Sequence, residues 1–339
     1  MHIKTETAII GAGLAGTYCS HLLSLQGREI TLIEKSRGTG GRAGSKRLAD
    51  GASCDIGAPY FQLAPALWQT EIKEWTDANV IFSYDDLMYK SQQVNDVNQQ
   101  TLYCGKPKMS SFSRYLLGTT PMMSQTRVHH LDKSEFGWIL RDDKYQTIIE
   151  CKTLIITAPA AQTVQLLASS NVDNDWIIKA KKSANACQPQ WSVLLVQDTG
   201  DRDCVFSDFL DINTKIIDRV IDDSYKQDRA HKNHWVIQAT SKWSVKHLNT
   251  DPDEVAQILL TELIKLAPIA KINASFNVLH TQRWLFGRHT LTENAAEKEN
   301  YRWDKNLQLG LAGDWLCKGD VEGALLSAKG LSNAIKNMH

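Results

Sequence analysis

The sequence has no excess of charge of either sign, because 38 Lys and Arg residues balance 38 Asp and Glu residues in a chain of 339. Proteins that bind nucleic acid or anionic membranes carry a basic excess, so we expect neither partner. Long apolar runs are also missing, and none approaches the roughly 18 residues of a membrane-spanning helix. The residues before Ala8 are too polar for the apolar core of a signal peptide. These absences predict a cytoplasmic protein with no membrane partner.

Paired cysteines are absent as well. The cysteines are odd in number, scattered, and never spaced as C-x-x-C. Disulfide frameworks and zinc sites both depend on such spacing, so we predict reduced, mostly buried thiols and no metal site. The seven residues are Cys19, Cys54, Cys104, Cys151, Cys187, Cys204 and Cys317.

A glycine-rich turn near the start of the chain carries the strongest motif. The apolar residues 7–10 lead into Gly11-x-Gly13-x-x-Gly16, a pattern typical of a turn that binds the pyrophosphate of a dinucleotide. Gly11 permits the tight turn, Gly13 lets the backbone approach the phosphates, and Gly16 lets the next helix pack on the strand. That helix is predicted over residues 14–25, with its N-terminus at the phosphates. The predicted pyrophosphate contacts are Gly11, Ala12, Gly13, Leu14 and Ala15.

A carboxylate follows at the spacing that this motif requires. The strand predicted over residues 29–33 ends at Glu34, about twenty residues on, where a carboxylate accepts hydrogen bonds from ribose hydroxyls. The glycine-rich loop after it returns to the same edge of the sheet. We assign Lys35, Gly41 and Arg42 in this loop to the cofactor, with either Arg37 or Arg42 at the pyrophosphate. The alternatives are a solvated glutamate after an ordinary turn and a surface loop with solvated arginines.

Small residues followed by an aromatic residue form another candidate segment. Gly57, Ala58, Pro59 and Tyr60 are suited to lie flat against a ring system. Alternatively, Gly57 and Pro59 only mark a turn.

A later stretch is predicted to complete the nucleotide-binding sheet. Short strands near residues 127–131, 137–141 and 147–151 suggest an antiparallel meander. The apolar run 154–160 then suggests a buried parallel strand. We expect this strand to end beside the pyrophosphate at Ala158.

The C-terminal block repeats the order of strand, glycine turn and helix. A strand over residues 309–312 is followed by Gly313 and Asp314, and a helix opens near Val321. Asp314 is a candidate acceptor of a hydrogen bond from a ribityl hydroxyl. The helix N-terminus near Val321 is a candidate for stabilising negative charge on a reduced flavin. A nucleotide site that needs both ends of the chain implies a long cofactor. FAD is therefore favoured over NAD.

The substrate region is predicted within residues 162–283, where strands rich in aromatic and β-branched residues appear. Trp191 and Trp243 are candidates for stacking a substrate, although a tryptophan is more often part of a core. His247 is either a base or a capping or solvated residue at a helix start. A separate candidate for an anionic group of the substrate lies before a predicted helix, and solvated lysines are the alternative there. It comprises Lys108, Met109 and Ser110.

Together these motifs resemble those of the amine-oxidase-like flavoproteins and, among them, the bacterial renalases. The resemblance covers most of the chain and is weakest over residues 80–100 and 198–232. It rests on Gly11 to Gly16, Glu34, Ser36 to Arg42, Asp55 to Tyr60, Gln188 to Trp191, Ala239 to Ser244 with His247, and Ala312 to Ala324.

The resemblance implies a noncovalent FAD enzyme with an α/β, p-hydroxybenzoate-hydroxylase-like fold. Residues 1–75, 101–165 and 286–339 would form the FAD-binding Rossmann-type domain. Residues 76–100 and 166–285 would form an inserted α+β substrate domain. Val128 is expected to contact the adenine through its backbone.

The implied reaction is oxidation of the 2- and 6-dihydro isomers of NAD(P) to NAD(P)+. Hydride passes to flavin N5, and dioxygen is reduced to hydrogen peroxide. A dihydronicotinamide is already a hydride donor and needs only stacking and orientation, so no catalytic side chain is assigned.

Other functions stay open. An amine oxidase or a desaturase is possible on the same fold, and a flavin-binding protein without turnover would carry the same cofactor motifs. Cys317 lies near the C-terminal block, which makes covalent attachment of the flavin an alternative.

Overall fold

The structure is a computed structural model that describes residues 3–49, 51–83, 101–170, 172, 174–197, 209–211, 214–229, 233–266, 275–289 and 300–336. Its strands are β1 Lys4–Ile10, β2 Ile30–Ile33, β3 Lys46–Arg47, β4 Ser53–Cys54, β5 Phe61–Gln62, β6 Ile81–Ser83, β7 Leu102–Gly105, β8 Met122–Met123, β9 His130–Lys133, β10 Trp138–Arg141, β11 Thr147–Ile156, β12 Cys187–Gln197, β13 Phe209–Asp211, β14 Ile217–Asp222, β15 His234–Ala239, β16 Phe276–His289, β17 Arg302–Asp304 and β18 Leu309–Leu311. Its α-helices are α1 Leu14–Leu25, α2 Pro65–Asp77, α3 Met109–Leu117, α4 Ala160–Ala168, α5 Asn174–Asn185, α6 Ser241–Lys246, α7 Pro252–Leu266 and α8 Val321–Lys336. Short 3₁₀ turns occur at Gly41–Ala43, Asp223–Tyr225 and Asp314–Leu316.

These elements form two compact units. The first consists of Met1–Gly41, Ser113–Cys187 and His289–His339, and the second of Arg42–Phe112 and Gln188–Arg288. None of the helices in the described ranges is long and apolar enough to cross a membrane.

The limits of the units differ from those of the predicted domains. Residues 42–75 and 101–112, predicted in the FAD-binding domain, belong to the second unit. The reason is that Cys54 and Ile56 pack in the same core as Leu194 of β12.

A second difference concerns residues 166–187, which are predicted in the substrate domain but belong to the first unit. Leu167 of α4 and Ala180 of α5 lie in the core of that unit. Most of the predicted insertion at 76–100 lies outside the described residues. The assignment of the domains to FAD and to substrate stays a prediction.

The first unit is built on an eight-stranded sheet whose main path runs β17-β18-β11-β1-β2-β8. β1 pairs in parallel with β2 and β11, and β11 pairs in parallel with β18. Ile9 and Ile155 in the central strands are fully buried, as is typical of parallel strands covered on both faces. The helix between β1 and β2, α1, packs against α8. This is the mixed α/β architecture that the sequence predicts.

β11 combines two of the predicted strands. Residues 147–151 pair antiparallel with β10, which pairs antiparallel with β9, so the predicted meander is confirmed. The same strand continues to Ile156 as the buried parallel partner of β1. Because no glycine or proline interrupts residues 147–156, nothing ends the strand between its two halves.

The second unit contains a five-stranded sheet in the order β13-β14-β15-β12-β16, with small sheets β3-β4 and β5-β7-β6. Successive side chains of a strand point to opposite faces of the sheet. On one face, Trp191 and Val193 pack in a core with Leu259 of α7. Leu194 and Val236 belong to a second core, which includes residues of the 54–60 segment.

Candidate functional site

The predicted glycine turn lies at the carboxyl end of β1. α1 begins at Leu14, as predicted, and Gly11 has a φ of +105°, which residues with side chains rarely adopt. A Cβ atom added to Gly16 would lie 1.9 Å from Gly11 O and 2.7 Å from Thr157 Oγ1. Close packing of α1 on the turn therefore requires glycine at position 16, which is the role that the sequence predicts.

Gly13 has open space beside it. A Cβ atom added there would meet no atom of the described residues within 4 Å, although Gly13 directly precedes α1. This space lies at a helix N-terminus, where N–H groups and a partial positive charge favour a phosphate. The turn therefore fits the pyrophosphate of a dinucleotide.

A second glycine loop runs beside the first. Gly40 N–H donates a hydrogen bond to Ala12 O at 2.8 Å, and Gly13 and Gly40 form an isolated parallel bridge. Gly41 has a φ of +53°, and a Cβ atom added to it would lie 3.4 Å from Gly13 Cα. Gly41 therefore lies next to the turn, and its contact with a cofactor stays a prediction.

The carboxylate of Glu34 is bonded to the same turn. Glu34 is buried; its Oε2 accepts a hydrogen bond from Ala12 N–H at 2.8 Å, and its Oε1 accepts one from Ser36 N–H at 2.7 Å. The sequence predicts a ribose contact for Glu34 but not this contact with the turn. A carboxylate offers about four lone-pair sites, so these two bonds leave acceptor capacity for ribose hydroxyls.

Two further predicted cofactor residues, Lys35 and Val128, lie near the end of β2. Lys35 is exposed, and partial desolvation and the charge of Arg127 lower its pKa. Val128 is buried in the core that also contains Ile10 and Ile33, the last residues of β1 and β2. The side chain of Val128 therefore has a structural role, and only its backbone is a candidate for the adenine contact.

Thr157 is a residue of this site that the sequence analysis does not identify. Its hydroxyl donates to the carbonyls of Ile10 and Gly11, at 2.9 Å and 3.0 Å, so the end of β11 supports the glycine turn. Ala158 follows directly, and its carbonyl accepts a hydrogen bond from Trp315 Nε1 at 3.1 Å. The sequence signal for Thr157 is a hydroxyl residue directly after an apolar strand.

The C-terminal block has the predicted order of elements. Gly313 and Asp314 follow β18, and α8 begins at Val321. Gly313 N–H donates to Ser327 Oγ at 2.8 Å, and Asp314 is buried. The contact of Trp315 with Ala158 places this block at the carboxyl end of β11.

The N-terminus of α8 has an acidic cap that the sequence analysis does not identify. Asp320 Oδ1 accepts a hydrogen bond from Gly323 N–H at 2.7 Å. Burial raises the pKa of Asp320, and the Gly323 N–H and Lys318 partly oppose that effect. The helix end proposed to stabilise negative charge on a flavin thus already faces a carboxyl group of the chain.

In the second unit, Arg42 and the predicted ring-facing residues 57–60 lie together. Ala58 N–H donates to Arg42 O at 2.9 Å. A Cβ atom added to Gly57 would lie 2.0 Å from the same oxygen, so this contact requires glycine. Side-chain donors also bond to the segment: Gln238 Nε2 to Gly57 O at 2.6 Å, Cys104 Sγ to Pro59 O at 3.3 Å and Arg219 Nη1 to Tyr60 Oη at 3.2 Å.

A buried cluster of four charges holds the start of this segment. Asp55 Oδ2 accepts hydrogen bonds from Lys226 Nζ at 2.9 Å and from the Arg229 guanidinium, and Asp223 pairs with the same two cations. Burial lowers the pKa of Lys226, but Asp223 and Asp55 outweigh it, so that its pKa is raised. Two positive and two negative charges balance, which makes their common burial tolerable.

The predicted anion-binding residues 108–110 lie at the start of α3 and have partners within the second unit. Met109 begins α3 and is fully buried. The hydrogen bonds are Lys108 Nζ to Ser53 Oγ at 3.2 Å, Met109 N to Asp55 Oδ1 at 3.0 Å and Ser110 N to Ser45 Oγ at 3.2 Å. These contacts give the three residues a structural role, and binding of substrate by them stays a prediction.

Trp191 and Trp243 lie in the core beside α7, with exposures of 1% and 7%. Trp191 Nε1 donates to His247 O at 3.0 Å, and the His247 ring stacks on Trp243 with centroids 4.0 Å apart. The prediction that His247 lies at a helix start is wrong, because α6 ends at Lys246. Thr240 begins this helix earlier, since its hydroxyl accepts the N–H of Trp243.

No group of three or more His, Cys, Asp or Glu residues in the described ranges is arranged to hold a metal ion.

Comparisons with known proteins agree with this architecture. Residues 9–70 match the family described as NAD(P)-binding Rossmann-like domain. A structure from Exiguobacterium sp. 255-15, provisionally described as a protoporphyrinogen oxidase, aligns with 99% of both chains at a TM-score of 0.70 and 12% identity. A triple mutant of putrescine oxidase aligns with 99% of this chain and 100% of its own at a TM-score of 0.65 and 12% identity. The chain therefore has a mixed α/β fold with a Rossmann-like nucleotide-binding domain, and it shares this fold with these oxidases.

Proposed function

We propose that this protein is an FAD-dependent oxidoreductase that oxidises the 2- and 6-dihydro isomers of NAD(P). The observation that carries the flavin part is the turn after β1, where open space at Gly13 lies beside the buried carboxylate of Glu34. When bound, FAD would supply a hydride acceptor at flavin N5 and pass the electrons to dioxygen, so that the products are NAD(P)+ and hydrogen peroxide. The resemblance to bacterial renalases favours this substrate.

In the first unit, the residues of the chain bind and orient the nucleotide. The turn at residues 11–15 holds the pyrophosphate at the N-terminus of α1, and Glu34 accepts hydrogen bonds from ribose hydroxyls. The N–H groups of Gly11 and Ala12 already bond to Ile33 O and Glu34 Oε2, so the phosphate donors come from the residues that follow them. Ala158 lies beside the pyrophosphate, and Asp314 accepts a hydrogen bond from a ribityl hydroxyl. Further contacts come from Lys35, Gly41, Val128, Gly313 and Val321.

In the second unit, Arg42 serves the pyrophosphate and residues 57–60 lie against the flavin ring. Trp191, Trp243 and His247 remain the candidates for stacking the substrate. Trp191 and Trp243 are only 1% and 7% exposed, and the His247 ring already stacks on Trp243, so the partly exposed His247 is the strongest candidate. Hydride loss from a dihydropyridine requires no proton removal, so no side chain acts as a base in this proposal.

A second candidate function is amine oxidation, favoured by the similarity of fold to putrescine oxidase over nearly the whole of both chains. Oxygen uptake with 2-dihydro-NAD, 6-dihydro-NAD, putrescine and ordinary NADH separates the two. We expect one molecule of hydrogen peroxide per dihydronicotinamide isomer consumed, and no uptake with putrescine. Uptake with putrescine alone would favour the amine oxidase. No uptake with any donor would favour a flavin-binding protein without turnover.

The attachment of the cofactor is tested separately by acid precipitation. We propose noncovalent FAD, so the yellow colour should remain in the supernatant. A yellow pellet would instead indicate covalent attachment, with Cys317 as the candidate.

A further inference from the structure

Two arginines of the second unit converge on one carboxylate. Arg219 Nε lies 3.0 Å and Arg288 Nη2 lies 2.5 Å from the same oxygen, Oδ2 of Asp218. These three side chains together carry one net positive charge. Their exposures of 16%, 35% and 24%, respectively, shield the group partly from water while leaving it open to a ligand.

A β-bulge places this cluster on the sheet. The register between β14 and β15 shifts between Ile217 and Arg219. As a result, Ile217 and Val220 both lie in the core beside α7, although an uninterrupted strand would turn them to opposite faces. Bulges of this kind often redirect side chains near binding sites.

The cluster lies beside the segment proposed to face the flavin ring. Arg219 Nη1 donates to Tyr60 Oη at 3.2 Å, and the guanidinium carbon of Arg219 lies 5.6 Å from the centroid of the Tyr60 ring. Trp284 of β16 packs against the core that contains Ile221 of β14, and Ile221 lies two residues after Arg219 on the same face of that strand.

Trp284 adds an unused donor. Its Nε1–H is buried and has no hydrogen-bond partner among the described residues. A Cβ atom added to Gly57 would lie 3.5 Å from Trp284 Cζ2, an atom two bonds from Nε1. The N–H group therefore lies close to residues 57–60. Buried N–H groups nearly always have a partner in folded proteins, so this one indicates an acceptor supplied by a ligand.

We propose that Arg219, Arg288 and the Trp284 N–H bind a phosphate or pyrophosphate group of the substrate. This inference rests on the proposed function, because a dihydronicotinamide dinucleotide carries a pyrophosphate at a short distance from its ring. Guanidinium groups present paired N–H donors that match phosphate oxygens. The same two guanidinium groups would repel a cationic amine, so the site favours the dinucleotide over putrescine.

The first test measures anion binding without turnover. Inorganic pyrophosphate is titrated calorimetrically into the purified full-length protein with its bound cofactor. We expect binding to wild type and binding at least about 10-fold weaker, or about 1.4 kcal/mol, to Arg288→Gln and Arg219→Gln. Arg283→Gln is the matched control, because Arg283 lies on the same strand but donates to Leu248 O and contacts the Trp191 ring. It should bind pyrophosphate like wild type.

The second test separates the anionic group of the substrate from its ring. Flavin bleaching is followed with 6-dihydro-NAD and with the uncharged N-methyl-6-dihydronicotinamide. In Arg288→Gln, the apparent Kd for the dinucleotide should rise about 10-fold, whereas the value for the uncharged analogue and the limiting bleaching rate should stay unchanged. Arg288→Lys, which keeps the charge without the paired donors, should lie between wild type and Arg288→Gln.

Three results would overturn the site. The first is no pyrophosphate binding by wild type, and the second is equal pyrophosphate binding by wild type and Arg288→Gln. The third is loss of FAD from folded Arg288→Gln and Arg288→Lys, because that loss would assign the arginines to the cofactor. If pyrophosphate binding depends on Arg288 but no dihydronicotinamide bleaches the flavin, the anion site stands and the proposed function fails.

Discussion

The backbone N–H of Ala12 donates a hydrogen bond to Oε2 of Glu34 at 2.8 Å, so the carboxylate at the end of β2 is bonded to the glycine turn at the end of β1. The two strands are parallel neighbours, and their carboxyl ends therefore lie side by side. One buried carboxylate thus stabilises the turn and also lies next to the space at Gly13.

Replacing Glu34 should weaken cofactor binding. Glu34→Ala removes the acceptor for the N–H groups of Ala12 and Ser36, together with the proposed acceptor for ribose. We expect FAD binding to weaken by roughly 1.5–3 kcal/mol, the range for hydrogen bonds to charged groups. Glu34→Gln keeps one side-chain acceptor oxygen and should lose less. Titration of the deflavinated proteins with FAD measures both effects, and equal affinities in all three proteins would leave Glu34 a purely structural role.

Two glycines of the turn should respond to substitution in opposite ways. The side chain in Gly13→Val enters open space, so the protein should fold but lose its FAD and its yellow colour. In Gly16→Ala the new Cβ would lie 1.9 Å from Gly11 O, so the fold itself should be destabilised. Thermal unfolding and FAD content are measured for both. A Gly13→Val protein that retains a full complement of FAD would show that the pyrophosphate lies elsewhere.

The parts of the fold that depend on neighbouring residues could be predicted from the sequence. Glycine spacing and an apolar strand were sufficient for the turn and for α1, which is observed at the predicted residues. The close packing at Gly16 likewise follows from the local motif.

The parts that depend on distant partners could not be predicted. Asp55 and Lys226 are 171 positions apart, and Thr157 and Gly11 are 146 positions apart, so no local pattern connects either pair. Composition also cannot distinguish a tryptophan in a core from one in a binding site, as Trp191 illustrates.

Removing one partner of the buried charge cluster should destabilise the fold far more than removing one partner of an exposed ion pair. Asp55→Asn leaves the Lys226 and Arg229 charges buried with one partner fewer, and we expect the free energy of unfolding to fall by about 3–5 kcal/mol. Asp77→Asn is the control, because its salt bridge with Lys73 is exposed; its loss should cost about 0.5 kcal/mol or less. Urea denaturation followed by circular dichroism compares the two variants. Similar losses in both would contradict the account of the cluster.

The Asp320 cap should make stability depend on pH. Its pKa is raised in the folded protein, mainly by burial, so the contribution of this group to stability is present at low pH and is lost as the pH rises through the folded pKa. Asp320→Asn keeps a capping oxygen without the charge. At neutral pH this variant should be at least as stable as wild type. Any difference in stability between the two proteins should disappear below about pH 3.9, where the carboxyl group is protonated in both the folded and the unfolded state.

The matched variant for this prediction is Asp320→Ala, which loses the cap and should be about 1 kcal/mol less stable than Asp320→Asn. Thermal unfolding of the three proteins from acidic to neutral pH provides the comparison. Wild type more stable than Asp320→Asn at neutral pH would show that the charge of Asp320 stabilises the fold.

The proposed function depends on hydride transfer from a dihydronicotinamide isomer to a bound flavin. The most direct measurement is anaerobic mixing of the purified protein with 6-dihydro-NAD, 2-dihydro-NAD or, as a control, ordinary 4-dihydro-NADH, while the visible flavin absorbance is followed. We predict rapid bleaching by at least one of the two isomers and none by NADH. An absence of bleaching with all three would contradict the proposed substrate and would direct the search to amines and other hydride donors.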